Sequence, residues 1–77
     1  MDKTNTVLEN PRHFYNKAIE LLNNQNYQPA LSLFLMLIGS EEFGALSYFY
    51  SAEISNILGY AKYASECFYK AFEINHR

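Results

Sequence analysis

The chain has 77 residues, of which 49% are hydrophobic, 17% aromatic and 18% charged, and its net charge is -2. This length predicts one small domain, and the composition excludes the apolar-poor, highly charged class of disordered proteins. No Lys or Arg lies between Ala18 and Ala61, so the sequence lacks the clustered basic residues of a nucleic-acid-binding surface and no nucleic acid is expected as partner.

The first predicted element begins at Asn10-Pro11, because Asn can cap a helix and Pro suits its first position. Residues 1–10 are expected to form a flexible N-terminal segment. Apolar residues then follow at helical spacing, and the polar residues 23–26 predict a tight turn between two helices. The residues that give this spacing are Phe14, Ala18, Leu21 and Leu22.

Three more helices follow, with short connections between them. The second is predicted from Tyr27 to Gly39, where glycine suits a helix C-cap, and the third runs from about Phe43 to Leu58. Gly59 ends the third helix, and residues 60–75 form the fourth. The fold class is therefore all-α, with four helices arranged as two antiparallel hairpins in a single domain over residues 11–77.

An internal repeat is the strongest signal in the sequence. A shift of 34 residues places Ala18 on Ala52, Ala30 on Ala64, and Phe34 on Phe68. The same shift also pairs Phe14 with Tyr48, Tyr15 with Phe49, and Ile38 with Phe72. Small residues that recur where helices approach closely, and large ones that recur where gaps are filled, indicate a repeated helical hairpin.

The period and the spacings resemble the tetratricopeptide repeat (TPR), whose pattern has an aromatic residue, a small residue four positions later, and then A-x-x-x-F. Phe14, Ala18, Ala30 and Phe34 supply the first copy, over residues 11–42. Tyr48, Ala52, Ala64 and Phe68 supply the second copy, over residues 45–76. The chain departs from the family pattern at Lys17, Ser51 and Ser55, and it has Glu42 and His76 where the family ends each repeat with Pro.

The resemblance implies that the first helix of each hairpin lines a concave groove for peptides. By position, the groove residues are Arg12, Tyr15, Ile19, Leu22, Asn23, Leu46, Phe49, Glu53, Asn56 and Ile57. For Tyr15 and Phe49 the alternative is ordinary packing between helices. Family members that grip a carboxylate tail carry Lys and Asn at positions that here hold Tyr15, Ile19 and Tyr50, so an apolar or amphipathic segment is the expected ligand.

A second apolar surface is predicted on the other helices of the hairpins. The last helix of a repeat array usually has a polar outer face, whereas the fourth helix here is rich in aromatic residues. The expected assembly face comprises Leu35, Met36, Tyr63, Tyr69 and Phe72. Such a face predicts a homo-oligomer or an obligate complex with another protein.

Catalysis is not expected from this sequence. His13 and His76 have no second ligand at metal spacing, and Cys67 is predicted to be a buried apolar residue. The glycines do not form a phosphate-binding loop, so neither a metal nor another cofactor is expected. The single cysteine fits a reducing compartment, and the N-terminus lacks a signal-peptide core, so a cytoplasmic protein without membrane insertion is expected.

Two functional hypotheses follow. The first is a small cytoplasmic chaperone or adaptor. The segment from Phe14 to Ile38, with Ala30 and Phe34, is similar to the first repeat of the chaperones of type III secretion translocators, which hold apolar segments of their clients. The second is a structural subunit that self-associates or joins a larger complex through exposed aromatic helix faces.

Overall fold

The described part of the chain is a set of four helices joined by short turns. The structure, a computed structural model, describes residues 10–76. The helices are α1 (Pro11–Asn23), α2 (Tyr27–Met36), α3 (Gly44–Ile57) and α4 (Ala61–His76), and none of the described residues forms a strand. The all-α class and the arrangement in helical hairpins are confirmed. Residues 1–9 of the predicted N-terminal segment lie outside the described residues.

The helices form hairpin one (α1 and α2) and hairpin two (α3 and α4), and α2 also packs on α3. Asn10 takes the N-cap position of α1 and Pro11 its first position, as predicted, but the Asn10 side chain makes no capping hydrogen bond. The Asn10 carbonyl instead accepts the backbone N–H of Phe14. The helix begins here because Pro11 has a fixed φ near the helical value and lacks an N–H that would need a hydrogen-bond partner.

The turn inside hairpin one reverses the chain at a residue in the left-handed region. Gln25 has φ 62°, and its N–H donates to the Leu22 carbonyl at 2.9 Å. The N–H of Asn26 donates to the Leu21 carbonyl at 2.8 Å, which completes a Schellman motif. The predicted turn is therefore present, although Gln25 rather than an asparagine takes the left-handed conformation.

Hairpin two turns in the same way 34 residues later. Gly59, the equivalent of Gln25, has φ 92° and donates its N–H to the Asn56 carbonyl at 3.1 Å. The N–H of Tyr60 donates to the Ser55 carbonyl at 2.7 Å. The internal repeat seen in the side chains is thus also present in the backbone hydrogen bonds of the two turns.

The connection between the hairpins is tight. α2 ends at Met36, three residues before the C-cap predicted at Gly39, because the Leu37 N–H bonds to the Phe34 carbonyl at 2.9 Å and closes a shorter turn. A Cβ added to Gly44 would lie 2.8 Å from the Ile38 carbonyl oxygen. The start of α3 therefore needs glycine at this position in order to pass the end of α2.

The core lies between the two hairpins and draws on three helices. Its fully buried centre contains Ala18 of α1, Ala30 and Phe34 of α2, and Ile54 of α3, with Leu31 at its edge. Alanines at the helix contacts allow the backbones to approach, and Phe34 fills the space that remains. The equivalent alanines of hairpin two, Ala52 and Ala64, are also buried.

A row of three serines runs along the buried side of α3. Ser47, Ser51 and Ser55 are fully buried at four-residue spacing, and their Oγ atoms have no hydrogen-bond partner among the described residues. Four-residue spacing places them on one face of the helix. Their small size lets the neighbouring helices approach α3 closely, but each hydroxyl loses its hydrogen bonds to water on folding.

Candidate protein-binding groove

The structure divides the predicted concave groove into a covered half and an open half. In the α1 half, Tyr15, Ile19 and Leu22 are partly buried and pack against the core, while Arg12 and Asn23 are exposed. In the α3 half, every predicted residue is exposed: Leu46, Phe49, Glu53, Asn56 and Ile57. The exposed apolar residues of the predicted groove therefore belong to hairpin two.

Tyr15 is covered by two aromatic side chains, one from the residue that precedes α3 and one from α3 itself. Its ring stacks on Phe43 with centroids 4.6 Å apart and meets Tyr50 at 6.4 Å. Burial is the first cause that raises the pKa of Tyr15, and Tyr50 adds to it. For Tyr15, packing between helices is thus the observed arrangement.

Arg12 joins the start of α1 to the segment that precedes α3. Its Nη2 donates to Glu42 Oε2 at 2.8 Å, and its guanidinium carbon lies 5.4 Å from the centre of the Phe43 ring. Both charged side chains are about two-thirds exposed to solvent, at 67% and 61%. An ion pair so exposed contributes little to stability, on the order of 0.5 kcal/mol.

The open half continues into an apolar groove between the two helices of hairpin two, here named the α3–α4 groove. It has a volume of about 360 Å³. The residues that line it are Ala45, Leu46 and Phe49 of α3 and Phe68, Ala71 and Phe72 of α4. None of the described residues that line this groove is charged, so burial of apolar surface is the interaction that they offer.

The large side chains of the α3–α4 groove remain accessible. The exposed fractions are 44% for Leu46, 39% for Phe49, 40% for Phe68 and 61% for Phe72. Scattered apolar residues are normal on a protein surface, but these four side chains line one groove, which makes the groove a candidate binding surface.

An aromatic series links this groove to the core. From Phe34 the ring centroids step 5.2 Å to Tyr50, 5.5 Å from Tyr50 to Phe49, and 5.9 Å from Phe49 to Phe68. The first contact is stacked and the next two are edge-to-face, which are favourable geometries for aromatic pairs. The α3–α4 groove is therefore continuous with the interface between the hairpins.

Sequence reasoning assigned these groove residues to different places. Leu46 and Phe49 belong to the predicted peptide groove, and Phe72 belongs to the predicted assembly face. Phe68 is predicted both as the repeat equivalent of Phe34 and as one of the aromatic residues of the fourth helix, but it is not among the residues predicted for the peptide groove or the assembly face. The aromatic content of that helix, where a polar outer face is usual, is the signal that points to it.

The remaining residues of the predicted assembly face do not lie on one surface. Leu35 is partly buried against the core, and Met36 lies beside the connection between the hairpins with Pro11. Tyr63 lines an open depression between α2 and α4 together with Leu35, and Tyr69 is exposed and lines none of the grooves described here. The structure therefore brings Phe72 into the α3–α4 groove and separates it from the other four residues.

Cys67 and His13 are among the residues that the sequence singles out for reactive chemistry. Cys67 is buried, as predicted, and burial raises the pKa of its thiol, which keeps it in the less nucleophilic protonated form. His13 is exposed and contacts only the edge of Phe14 among aromatic rings. Within the described residues, no three His, Cys, Asp or Glu side chains are grouped closely enough to hold a metal ion.

None of the helices in the described part of the chain is long and apolar enough to cross a membrane. Comparison of the chain with protein-family models, with curated proteins and with solved structures finds no match.

Proposed function

We propose that this chain is a protein-interaction module of TPR-like construction that binds an apolar or amphipathic segment of another protein, as a small cytoplasmic adaptor or chaperone. Its repeat-equivalent Schellman turns and its buried alanine pairs support the TPR-like construction. The binding surface that we propose is the α3–α4 groove together with the exposed residues Glu53, Asn56 and Ile57 of α3.

The observation that carries this proposal is the contrast between equivalent surfaces of the two hairpins. Phe34 of hairpin one is fully buried, because α3 lies over it, whereas its equivalent Phe68 in hairpin two is 40% exposed. Leu37 and Ala71 are both buried, but Ile38 is partly buried while its equivalent Phe72 is exposed. Hairpin two thus presents the kind of surface that hairpin one buries under a helix.

Burial of this surface by a partner supplies part of the free energy of binding. If a partner covered about 300 Å² of apolar area, the gain would be on the order of 7 kcal/mol before the costs of association. Those costs consume a large part of the gain, so this area alone gives an affinity of about 1 mM or weaker, and a micromolar complex needs a larger contact that also includes the exposed residues of α3 beside the groove.

The test compares three forms of the tagged chain in affinity purification. Phe49→Asp places a charge in the α3–α4 groove, and Tyr69→Asp places the same charge on α4 outside it. We expect a stoichiometric partner with the unchanged chain and with Tyr69→Asp, and its loss with Phe49→Asp. Circular dichroism checks that both variants keep the native helix content. Recovery of the same proteins by all three forms contradicts the proposal.

A chaperone for type III secretion translocators is one specific version of this function, supported by the similarity of residues 14–38 to such chaperones. In that case the partner would be an apolar segment of an exported protein. Co-purification identifies this version if the bound protein is an export client and excludes it if the partner is a permanent subunit.

The second candidate is a structural subunit that assembles through aromatic residues outside the groove. Tyr60, Tyr63 and Tyr69 are all exposed on α4 or beside its start, which favours a second contact surface. Light scattering separates the two candidates. A homo-oligomer that Tyr69→Asp dissociates and Phe49→Asp leaves intact supports the structural subunit.

A further inference from the structure

We infer that the occupant of the α3–α4 groove is one amphipathic helix of a partner protein, built like α3 but carrying a basic residue opposite Glu53. This inference rests on the proposed function and specifies the partner's chemistry. The α3 helix is the template, because it already covers the equivalent surface of hairpin one.

Two aromatic residues, one just before α3 and one in its middle, contact hairpin one, and the buried side chains between them on the same face are small. Phe43 stacks on Tyr15 at 4.6 Å, and Tyr50 stacks on Phe34 at 5.2 Å. These two aromatics are seven residues apart, so they lie on one face two turns apart. Ser47 and Ser51 on that face are fully buried. Their small side chains let the aromatic rings on either side reach the hairpin.

The contacts also fix the direction of the covering helix. Arg12 meets Glu42 and Phe43, at the beginning of α3, while Tyr15, one turn later on α1, reaches on to Tyr50. α1 and α3 therefore run in the same direction. A helix that repeats this arrangement on hairpin two runs parallel to α3.

Two equivalent positions of the hairpins carry residues of different chemistry, and they determine how the partner helix should differ from α3. Arg12, which binds Glu42, is replaced in hairpin two by Leu46, so the start of the partner helix needs an apolar residue rather than an acidic one. Ile19 packs against the core cluster that contains Ile54, and its equivalent in hairpin two is the exposed Glu53. A partner with Lys or Arg at the position of Ile54 complements that carboxylate.

The helix α1 of a second copy does not fit this description. The residues of α1 that correspond to Ser47, Tyr50, Ser51 and Ile54 are all polar and exposed: His13, Asn16, Lys17 and Glu20. Stacking a second copy head-to-tail would remove these polar groups from water without partners. The described outer face of α1 is therefore suited to contact with water, whereas the α3–α4 groove of hairpin two can accept a further helix.

The probe is a synthetic peptide with the sequence of residues 42–58, in which Glu42→Leu supplies the apolar residue that faces Leu46. It also carries Leu46→Gln and Phe49→Gln for solubility. These two positions line the α3–α4 groove in the intact chain, away from the face that covers hairpin one. Fluorescence anisotropy measures its binding to the full chain. A second peptide adds Ile54→Lys, and a third adds Tyr50→Ala.

We expect the Ile54→Lys peptide to bind roughly twofold more tightly than the parent peptide, because an exposed ion pair contributes on the order of 0.5 kcal/mol. This advantage should vanish against Glu53→Gln and at 1 M salt. The Tyr50→Ala peptide should bind about tenfold more weakly, since aromatic anchors dominate such interfaces. Phe68→Asp in the chain should abolish binding of all three peptides.

Three results overturn the inference. The first is equal binding to the Phe68→Asp variant, which shows that the peptide replaces α3 instead of occupying the groove. The second is a homodimer by light scattering that Phe68→Asp dissociates, because the occupant is then a second copy. The third is absence of binding by all three peptides.

A control peptide separates this inference from the proposed function. It has the same length, with Leu at the positions of Phe43, Tyr50 and Ile54. One outcome is that the leucine peptide binds the unchanged chain but not Phe68→Asp, while the α3 peptides do not bind. This outcome contradicts the α3-like pattern and supports the proposed function. Failure of every peptide contradicts both.

Discussion

Replacing Phe34 or Phe68 with alanine should affect stability very differently, although the two residues are equivalent in the repeat. Phe34 is fully buried and contacts Tyr15 and Tyr50, so its removal leaves a cavity in the shared core. Such substitutions cost about 3–5 kcal/mol. Phe68 is 40% exposed and lines an open groove, so its removal creates no enclosed cavity and loses about 1–2 kcal/mol of burial.

The assay is urea unfolding followed by circular dichroism at 222 nm. A chain of this length has a stability of roughly 4–12 kcal/mol, so Phe34→Ala brings the protein close to its unfolding threshold. The milder pair Phe34→Leu and Phe68→Leu keeps the comparison measurable if Phe34→Ala does not fold. Unchanged m values confirm that the variants unfold the same structure.

Equal losses for the two alanine variants would refute this reasoning. That outcome would mean that Phe68 is covered in solution by an element that buries it as α3 buries Phe34, for example a second copy of the chain. Repeating the measurement at a tenfold lower protein concentration identifies that case, because the stability of an oligomer depends on concentration.

Three further predictions concern the buried side of the fold. Ser51→Ala should raise the free energy of unfolding by about 1 kcal/mol, because it removes a buried hydroxyl with no described hydrogen-bond partner. Ser65→Ala, at an exposed position, should raise it by about half as much through helix propensity. A lower free energy of unfolding for Ser51→Ala would show that the hydroxyl does have a hydrogen bond. Gly44→Ala should lower the thermal midpoint of unfolding by an amount equivalent to about 1–3 kcal/mol, although alanine forms helix more readily than glycine. Gly39→Ala should not lower the midpoint, because the space around a Cβ at that position is open. Because burial raises the pKa of Cys67, the folded chain holds the thiol proton more tightly than the unfolded chain. The free energy of unfolding should therefore be highest below the unfolded thiol pKa of about 8.5 and should fall as the pH rises through that value. A pH series of urea unfolding should show a shallower decline for Cys67→Ala.

The fold could be predicted from the sequence because its repeat is encoded in residues with strong local preferences. Alanine at the helix contacts and Gly59 at the second turn fix the hairpins at 34-residue spacing. The turn at Gln25 was placed correctly, although the neighbouring asparagines hid which residue takes the left-handed conformation. The early end of α2 could not be predicted from Gly39, because the helix ends where the Leu37 N–H bonds to the Phe34 carbonyl, two residues before the glycine.

The candidate site could be predicted only in part. The repeat pattern identifies Leu46 and Phe49 as outward residues of α3, but it treats Phe34 and Phe68 as the same kind of core position. Whether such a residue is buried depends on what packs over its hairpin, which is a property of the next element rather than of the local sequence. The α3–α4 groove therefore became visible only once the helices were placed.

Amide chemical-shift mapping tests the central claim most directly. The ¹⁵N-labelled chain is titrated with the peptide of residues 42–58 that carries the two glutamines and Ile54→Lys. The account predicts that the largest shifts lie at residues 45–53 and 68–72, on the two sides of the α3–α4 groove. Shifts concentrated instead at Tyr15 and Phe34, or no shifts at millimolar peptide, would contradict the claim that this groove is a docking site for a helix.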